Sequence, residues 1–519
     1  MSNRDIDIAL SYHNATKHSY VSVRTGGHFL DWDNKPEISK IYPKLEGISM
    51  PRDFSSPEEK PLNAVGAFDL HLDERESLDI MKLAQILYFS GGLTRKIKFQ
   101  GGHFHFRAAA SAGALYPVEF YVICNEITGL EVGVYHFNPA EFVLRLLRKG
   151  DYRFELARSA GGSSEIAQAP ASIIMTAIFW RSAWKYQARS YRYCFWDAGT
   201  ILANLLATAY ATRVKSKVIC AFLDPIVNNI LGIDGEHEGS LCVVPLEASN
   251  NLASEPLVSS PEPIRHEVRP LSRNEADYPE IRQLHSASSF TEIGELSSWT
   301  PSELRQKNLP EDHQTSFPMR VLSEDQWPAG SLGEVIRKRG STRKFSQDVV
   351  TFPQFSTIFD YSTRGVPADF LAVPKDTLLD IFLIINAVEE LPAGAFYYSA
   401  SGRAFKLLKK GGFRPWAGYL CLEQDLAADA AAVVFFMSDL QKVLQRFGNR
   451  GYRAVQLEAG IVGGKMYLCS YALGLGATGI TFYDDDITEF FSPNSEGLSP
   501  IFVVALGVPA KARRLYHVS

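Results

Sequence analysis

Residues 133–153 read GVYHFNPAEFVLRLLRKGDYR, and residues 394–414 read GAFYYSASGRAFKLLKKGGFR, at a constant offset of 261. Gly133, Leu146, Leu147, Lys149, Gly150 and Arg153 meet identical residues at Gly394, Leu407, Leu408, Lys410, Gly411 and Arg414. The same offset carries Tyr191-Arg192 onto Tyr452-Arg453, and Asp197-Ala198-Gly199 onto Glu458-Ala459-Gly460. A register unbroken over about 67 residues points to an internal duplication. Each half then reads alike: an apolar strand (118–124; 379–385), a short glycine-aromatic strand, a second core strand (172–180; 431–437) and a long helix. The helices carry small residues at Gly199, Ala203 and Ala207, and at Gly460 and Gly464. Spaced four apart, these lie on one face and allow close helix approach, as ordinary core packing or as the contact of two repeats about a pseudo-twofold axis. The expected fold is α+β, with two tandem three-layer α/β/α units forming an intramolecular pseudodimer.

Working outward, residues 1–60 read as an irregular N-terminal extension with no counterpart in the second half. Residues 61–250 form repeat 1, the Ser-, Pro- and Glu-rich stretch 251–330 a linker, and residues 331–519 repeat 2. The 519 residues exceed one ordinary core. A hydrophobic content of 46% against 21% charged residues describes a globular chain, which excludes disordered and fibrous classes. A net charge of -5 gives no global attraction for nucleic acid or an anionic membrane. The start, MSNRDIDIALSYHN, lacks an apolar signal region. The longest clean apolar runs, such as 430–437, fall far short of the roughly 20 residues that span a bilayer. A cytoplasmic location is the expectation. Six cysteines stand far apart without a CxxC, so they read as buried thiols. His103 and His105, or His13 and His18, lack ligand-spaced partners, so no metal is expected.

Four stretches could carry chemistry. In SLGEVIRKRGSTRKF, Arg337, Lys338, Arg339, Arg343 and Lys344 surround Ser341. Such a cluster can grip a phosphate monoester or be a solvated helix end. Near the C-terminus, Lys511 and Arg513 form a second basic pair. RAAASAGALYPVEF places Ser111, Gly113 and Pro117 in a loop with little side-chain bulk, which lets backbone amides approach a flat ligand or simply enters a strand. RSAWKYQARSYRY holds Lys185 and Tyr186, a candidate proton-transfer pair. A GxGxxG opening a helix after a strand is absent, as are GxxxxGK[ST], HExxH and GxSxG motifs.

Together, RGSTRKF, SAGALYP, WKYQARSYR, GLGATGITFYDDD and GVPAKAR resemble the FMN-dependent nitroreductase superfamily. SAGALYP, GVYHFNP and the Lys-Tyr pair resemble its SagB-type branch, which includes azoline oxidases that form thiazoles and oxazoles. The resemblance implies that Arg339, Ser341 and Arg343, with Lys511 and Arg513, hold the FMN phosphate from repeat 2. It implies that Ser111, Ala112, Gly113 and Leu115 contribute from repeat 1, with Gly479, Ile480 and Thr481 also lining the cofactor, and that Lys185 and Tyr186 are catalytic. In repeat 1 the counterpart of RGSTR falls near 66–70 (GAFDL) without a cation. In repeat 2 the counterpart of SAGALYP at offset 261 is 372–378 (AVPKDTL), and Lys185-Tyr186 becomes Arg446-Phe447. One composite flavin site and one degenerate site are implied. Two departures stand out: Ala110 where the family often has Pro, and Ile461 where a His often follows the helix glycine. The activity implied is oxidation of an azoline or related C–C or C–N bond in a small-molecule, peptide or carrier-bound substrate, with O2 as electron acceptor and further self-association open. An NAD(P)H-dependent nitro or quinone reductase and a flavin-free peptide-binding scaffold are the alternatives.

Overall fold

Strand Val118–Cys124 is buried along its whole length, as an apolar run without polar alternation requires when helices cover both faces of a sheet. Its residues divide with period two: Phe120, Val122 and Cys124 point into the main core, Tyr121 and Ile123 into a second cluster on the outer face. A computed structural model describes residues 2–69, 74–99, 102–249, 261–301, 315–372 and 376–510. Two seven-stranded antiparallel sheets have the same strand order. The first runs Gly47–Ser49, Val143–Lys149, Gly133–Asn138, Val118–Cys124, Ala171–Ile178, Glu238–Glu247, Lys215–Ser216. The second runs Ser316–Pro318, Ala404–Lys410, Gly394–Ser399, Asp380–Ile385, Ala432–Ser438, Ser499–Gly507, Gly476–Gly479. The duplication is therefore a repeat of topology. One edge strand of each sheet, Gly47–Ser49 and Ser316–Pro318, comes from sequence preceding residues 61 and 331, in the stretches read as extension and linker.

The two halves meet along the long helices Ser190–Ala211 and Arg450–Ala472. A Cβ placed on Gly199 would stand 2.5 Å from the backbone carbon of Gly460, and one on Gly464 would stand 2.7 Å from the Ala203 Cβ. The small-residue faces are thus the crossing point itself. Beside it, Asp484 of the second half accepts from Arg189 and Arg192 of the first, each at 2.8 Å. Asp224 of the first half accepts from Arg450 at 2.8 Å and Arg453 at 2.9 Å.

Each carboxylate also holds a segment that the constant offset hides. Asp484 exchanges backbone and side-chain hydrogen bonds with His18, just after helix Asp7–Ala15. Asp224 does the same with Phe290, just after helix Pro279–Ala287. The N-terminal stretch therefore has a counterpart, at an offset of 272: HNAT (13–16) answers HSAS (285–288). Length changes between these helices and the first shared strands move the register, which is why no counterpart shows at 261.

Among the described residues no helix is long and apolar enough to cross a membrane, and no cluster of three His, Cys, Asp or Glu could hold a metal. Gly199→Val should destabilise the chain by about 3 kcal/mol, because backbone and not a movable side chain blocks the added atoms. Urea unfolding monitored by circular dichroism measures this, and a change below about 1 kcal/mol would contradict the close crossing.

Candidate functional site

A cavity of about 400 Å3 lies between the halves. The first half lines it with Ala110–Gly113, Lys185, Tyr186, Tyr193, Trp196, Asp197 and Thr200, and the second with Ser341, Arg343, Gln424, Tyr467, Thr478–Thr481 and Phe502. Ten of the residues singled out from sequence thus come together: Ser111, Ala112, Gly113, Lys185, Tyr186, Ser341, Arg343, Gly479, Ile480 and Thr481.

The loop leading into strand Val118–Cys124 takes left-handed backbone angles at Gly113 (φ 62°), Ala114 (φ 53°) and Tyr116 (φ 50°). Two of these are not glycine, so the surroundings must hold them. The first long helix does so. Asp197 accepts from Ser111 Oγ at 2.5 Å and Ala112 N at 3.0 Å, and Thr200 Oγ1 donates to Ala110 O at 2.7 Å. Gly113 leaves little room for a side chain: a Cβ there would stand 3.0 Å from Tyr186 Oη and 3.4 Å from Lys185 Nζ.

Lys185 and Tyr186 end helix Phe179–Tyr186, and Tyr186 stacks on Tyr193 with centroids 4.3 Å apart. Burial, then Arg343 and Lys35, lowers the Lys185 pKa from the ordinary lysine value. Burial, then Tyr193 and Asp197, raises that of Tyr186, which stays protonated at neutral pH. On the opposite wall, Gly479 N donates to Tyr467 Oη, and Ser341 Oγ lies 3.4 Å from the same hydroxyl. Thr481 Oγ1 lies 3.2 Å from Tyr193 Oη and 3.4 Å from His18 Nδ1. The N-terminal stretch continues past this rim, where His28 Nε2 lies 3.0 Å from Trp184 O and Trp32 packs edge-on against Trp184.

The remaining predicted site residues stand elsewhere. Arg339 is buried beyond the cavity wall, with Nε donating to Ala108 O at 2.9 Å and a terminal nitrogen 3.4 Å from Arg107 O. It ties the base of the first-half loop to the second half. Leu115 is packed in the core. Lys511 and Arg513 lie outside the described residues. Sequence reasoning missed Asp197, Tyr193, Trp196, Thr200, Tyr467 and Phe502. For Asp197 a signal existed, a carboxylate inside the apolar helix run CFWDAGTILANLL, since acids are almost never fully buried without a purpose.

The pseudo-equivalent cavity, about 740 Å3, is lined by Phe68, Asp69, Glu165, Lys215–Lys217, Ile219, Ala221, Trp299, Pro367–Asp369 and their neighbours. Its lysines and two of its amides already have partners. Lys215 pairs with Asp69 at 3.2 Å and Lys217 with Glu165 at 2.9 Å. The amides of Cys220 and Ala221, counterparts of Thr481 and Phe482, donate to Asp369 at 2.9 and 2.7 Å. Trp299 lies against Phe447, the counterpart of Tyr186, with centroids 4.8 Å apart. The loop counterpart also differs from the reading at constant offset. Glu458, matching Asp197, accepts from Thr377 Oγ1 at 2.6 Å and Leu378 N at 2.9 Å. The equivalent of Ser111-Ala112 is therefore Thr377-Leu378, at the very entrance of strand Asp380–Ile385, because the second-half loop is shorter.

Among known proteins, the nitroreductase family model matches residues 75–246 and again 336–508. A protein of Methanocaldococcus jannaschii named as a nitroreductase is 30% identical over 156 residues, 30% of this chain and 75% of its own length. The trifolitoxin-processing protein TfxB of Rhizobium leguminosarum bv. trifolii is 30% identical over 164 residues, 30% of this chain but less than half (43%) of that protein. A crystal structure from Anabaena variabilis, titled as a nitroreductase, superposes over 97% of this chain and 99% of its own, with TM-score 0.77 and 26% identity.

The two matched acids give a pH prediction. Burial pushes both the Asp197 and the Glu458 carboxyl up to about 7, with the loop hydrogen bonds offsetting only part of this. The folded chain then binds these protons more tightly than the unfolded chain. Their contribution is fully present below the unfolded carboxyl value and is lost as pH rises through about 7. Unfolding free energy should fall between about pH 5 and 7, by up to about 1.4 kcal/mol per unit for each acid. Asp197→Asn should remove about half of that slope in urea titrations, and an unchanged slope would refute the assignment.

Proposed function

Since this chain belongs to the nitroreductase family of oxidoreductases and carries its domain twice, we propose that the halves build one FMN site, in the cavity holding Lys185 and Tyr186. We read it as a SagB-type dehydrogenase that oxidises an azoline or related C–C or C–N bond in a peptide or carrier-bound intermediate, with O2 as electron acceptor. The observation that carries this reading is the placement of Lys185 Nζ and Tyr186 Oη against side-chain-free Gly113, on the cavity wall opposite Gly479–Thr481.

The residues present fit a flavin. Gly113 and Gly479 leave room that a Cβ would fill, the latter 2.9 Å from Phe502 Cζ. Trp196, Phe502 and Ile480 give a flat apolar lining, while Ser341 and Arg343 supply donors suited to a phosphate. When bound, FMN supplies a two-electron acceptor. This chain's part is to bind, orient and move the proton. Lys185 Nζ, with its pKa lowered by burial, takes the proton released from the substrate carbon. Tyr186 Oη, held protonated and stacked on Tyr193, donates a hydrogen bond that orients the acceptor atom. The likeness to a toxin-processing protein supports a substrate carried on a peptide.

Absorbance after heat release should give one FMN per chain, because the second cavity's lysines and two of its amides already have partners; two would refute the single site. Arg343→Ala should weaken FMN binding by about 1.5 to 3 kcal/mol, the worth of a hydrogen bond to a charged group. Lys185→Ala and Tyr186→Phe should keep the flavin yet slow anaerobic flavin bleaching by an azoline-bearing peptide by roughly 10² to 10⁴. Fast NAD(P)H turnover with a quinone, indifferent to both substitutions and without bleaching, would favour a reductase instead.

A further inference from the structure

Asp197 and Glu458 occupy matching places on the two long helices, and both are buried, with 4% and 1% of their surface exposed. Among the described residues neither forms an ion pair. An acid in such a place is costly unless its oxygens are well used, and both use them alike. One oxygen accepts a hydroxyl, from Ser111 or Thr377, and the other accepts the next backbone N–H, from Ala112 or Leu378.

Beyond this clamp the two halves diverge. After Thr377-Leu378 the chain enters its strand at Asp380, so Glu458 fixes only a strand entrance. After Ser111-Ala112 the chain makes a turn through three left-handed residues before Val118. Ser111 Oγ, while donating to Asp197, also accepts from Tyr116 N at 2.9 Å. The line Asp197–Ser111–Tyr116 therefore braces both ends of the turn whose apex, Gly113, lies against Lys185 and Tyr186. Thr200 adds a bond to Ala110 O, while its counterpart at 461 is isoleucine and cannot. The helix grips the turn more firmly on the side that keeps the Lys-Tyr pair.

We propose that Asp197 is a positioning residue: through Ser111 it sets where the Ala112–Gly113 backbone lies relative to the isoalloxazine ring and the Lys-Tyr pair. This rests on the reading of the cavity as the FMN site. Glu458, making the same bonds where no such turn exists, serves as a control within the same chain for a purely structural role.

The experiment uses the full chain titrated with FMN. Wild type, Asp197→Asn, Ser111→Ala, the double variant and Glu458→Gln are compared by FMN dissociation constant, visible circular dichroism of the bound flavin and thermal midpoint. Asp197→Asn and Ser111→Ala should each weaken FMN at least tenfold and change the visible dichroism in the same sense. The double variant should be no worse than the poorer single one, since both changes break one brace. Glu458→Gln should lower the thermal midpoint yet leave FMN affinity within about twofold and the dichroism unaltered. Additive losses, unchanged flavin dichroism in Asp197→Asn, or an equal change in Glu458→Gln would overturn the proposal while leaving the flavin site standing. Wild type that binds no FMN would overturn the flavin site, and the proposal with it.

Discussion

Asp224 and Asp484, each facing two arginines from the opposite half, are the constraint on which the rest of the structure depends. A buried carboxylate with two guanidinium partners persists only while all three groups are present, because removing one leaves uncompensated charge in the interior. Each half supplies the acid of one cluster and the cations of the other, so neither half is electrically complete alone. The close crossing at Gly199 and Gly460 adds a steric counterpart, since the backbones approach where only glycine fits. The arginines also donate to carbonyls at the ends of helices Asp7–Ala15 and Pro279–Ala287, for example Arg192 to His13 O at 2.6 Å and Arg453 to His285 O at 2.7 Å. The stretches flanking each domain are thereby tied into the interface.

This arrangement lets the two cavities differ in their lining while the fold is kept. Both cavities lie beside the clusters, yet the groups lining them contribute little to the clusters themselves. In the second cavity the lysines and two of the amides have found partners within the chain: Lys215 and Lys217 with acids, the amides of Cys220 and Ala221 with Asp369, while the ring of Phe447 packs against Trp299. Unmet hydrogen-bonding groups are costly when buried, so a site without a ligand drifts towards self-satisfaction. The first cavity has kept Arg343 without an ion-pair partner among the described residues, and a loop held open by Asp197. Those are features a folded chain keeps only against its own local preference.

Much of this was legible in the sequence because duplication repeats side-chain pattern at fixed spacing. The register from Gly133 to Gly199 located both sheets and both long helices, and the complementary losses motivated the expectation of a single composite site. Three things were hidden, each for a physical reason. The flanking helices shifted register through loops of unequal length. Arg339 and Arg343 sit in one short basic run, and composition does not tell which cation turns inward; the helix ends at Lys338, so helical periodicity no longer orders the residues after it. Asp197 was read only as a register marker: the carboxylate in an apolar helix run was a signal, but its partners, Ser111 and Ala112, are more than eighty residues away.

The asymmetry of the Lys-Tyr pair has an electrostatic side as well. Burial lowers the Lys185 pKa first and Arg343 adds to it. A phosphate held by Arg343 would cancel the second effect, because an anion and a guanidinium together present little net charge at a distance. Burial remains, and it is the larger cause. A base that owed its activation to Arg343 would be silenced when that arginine took up its anion. One activated by desolvation keeps its function with the site filled, and the fold provides desolvation here through the stack of Tyr186 on Tyr193 and the turn at Gly113. In the second half the same helix position is Arg446, exposed and hydrogen-bonded to Thr300. An arginine cannot serve as a base near neutral pH, so the second half has no counterpart of the proposed base.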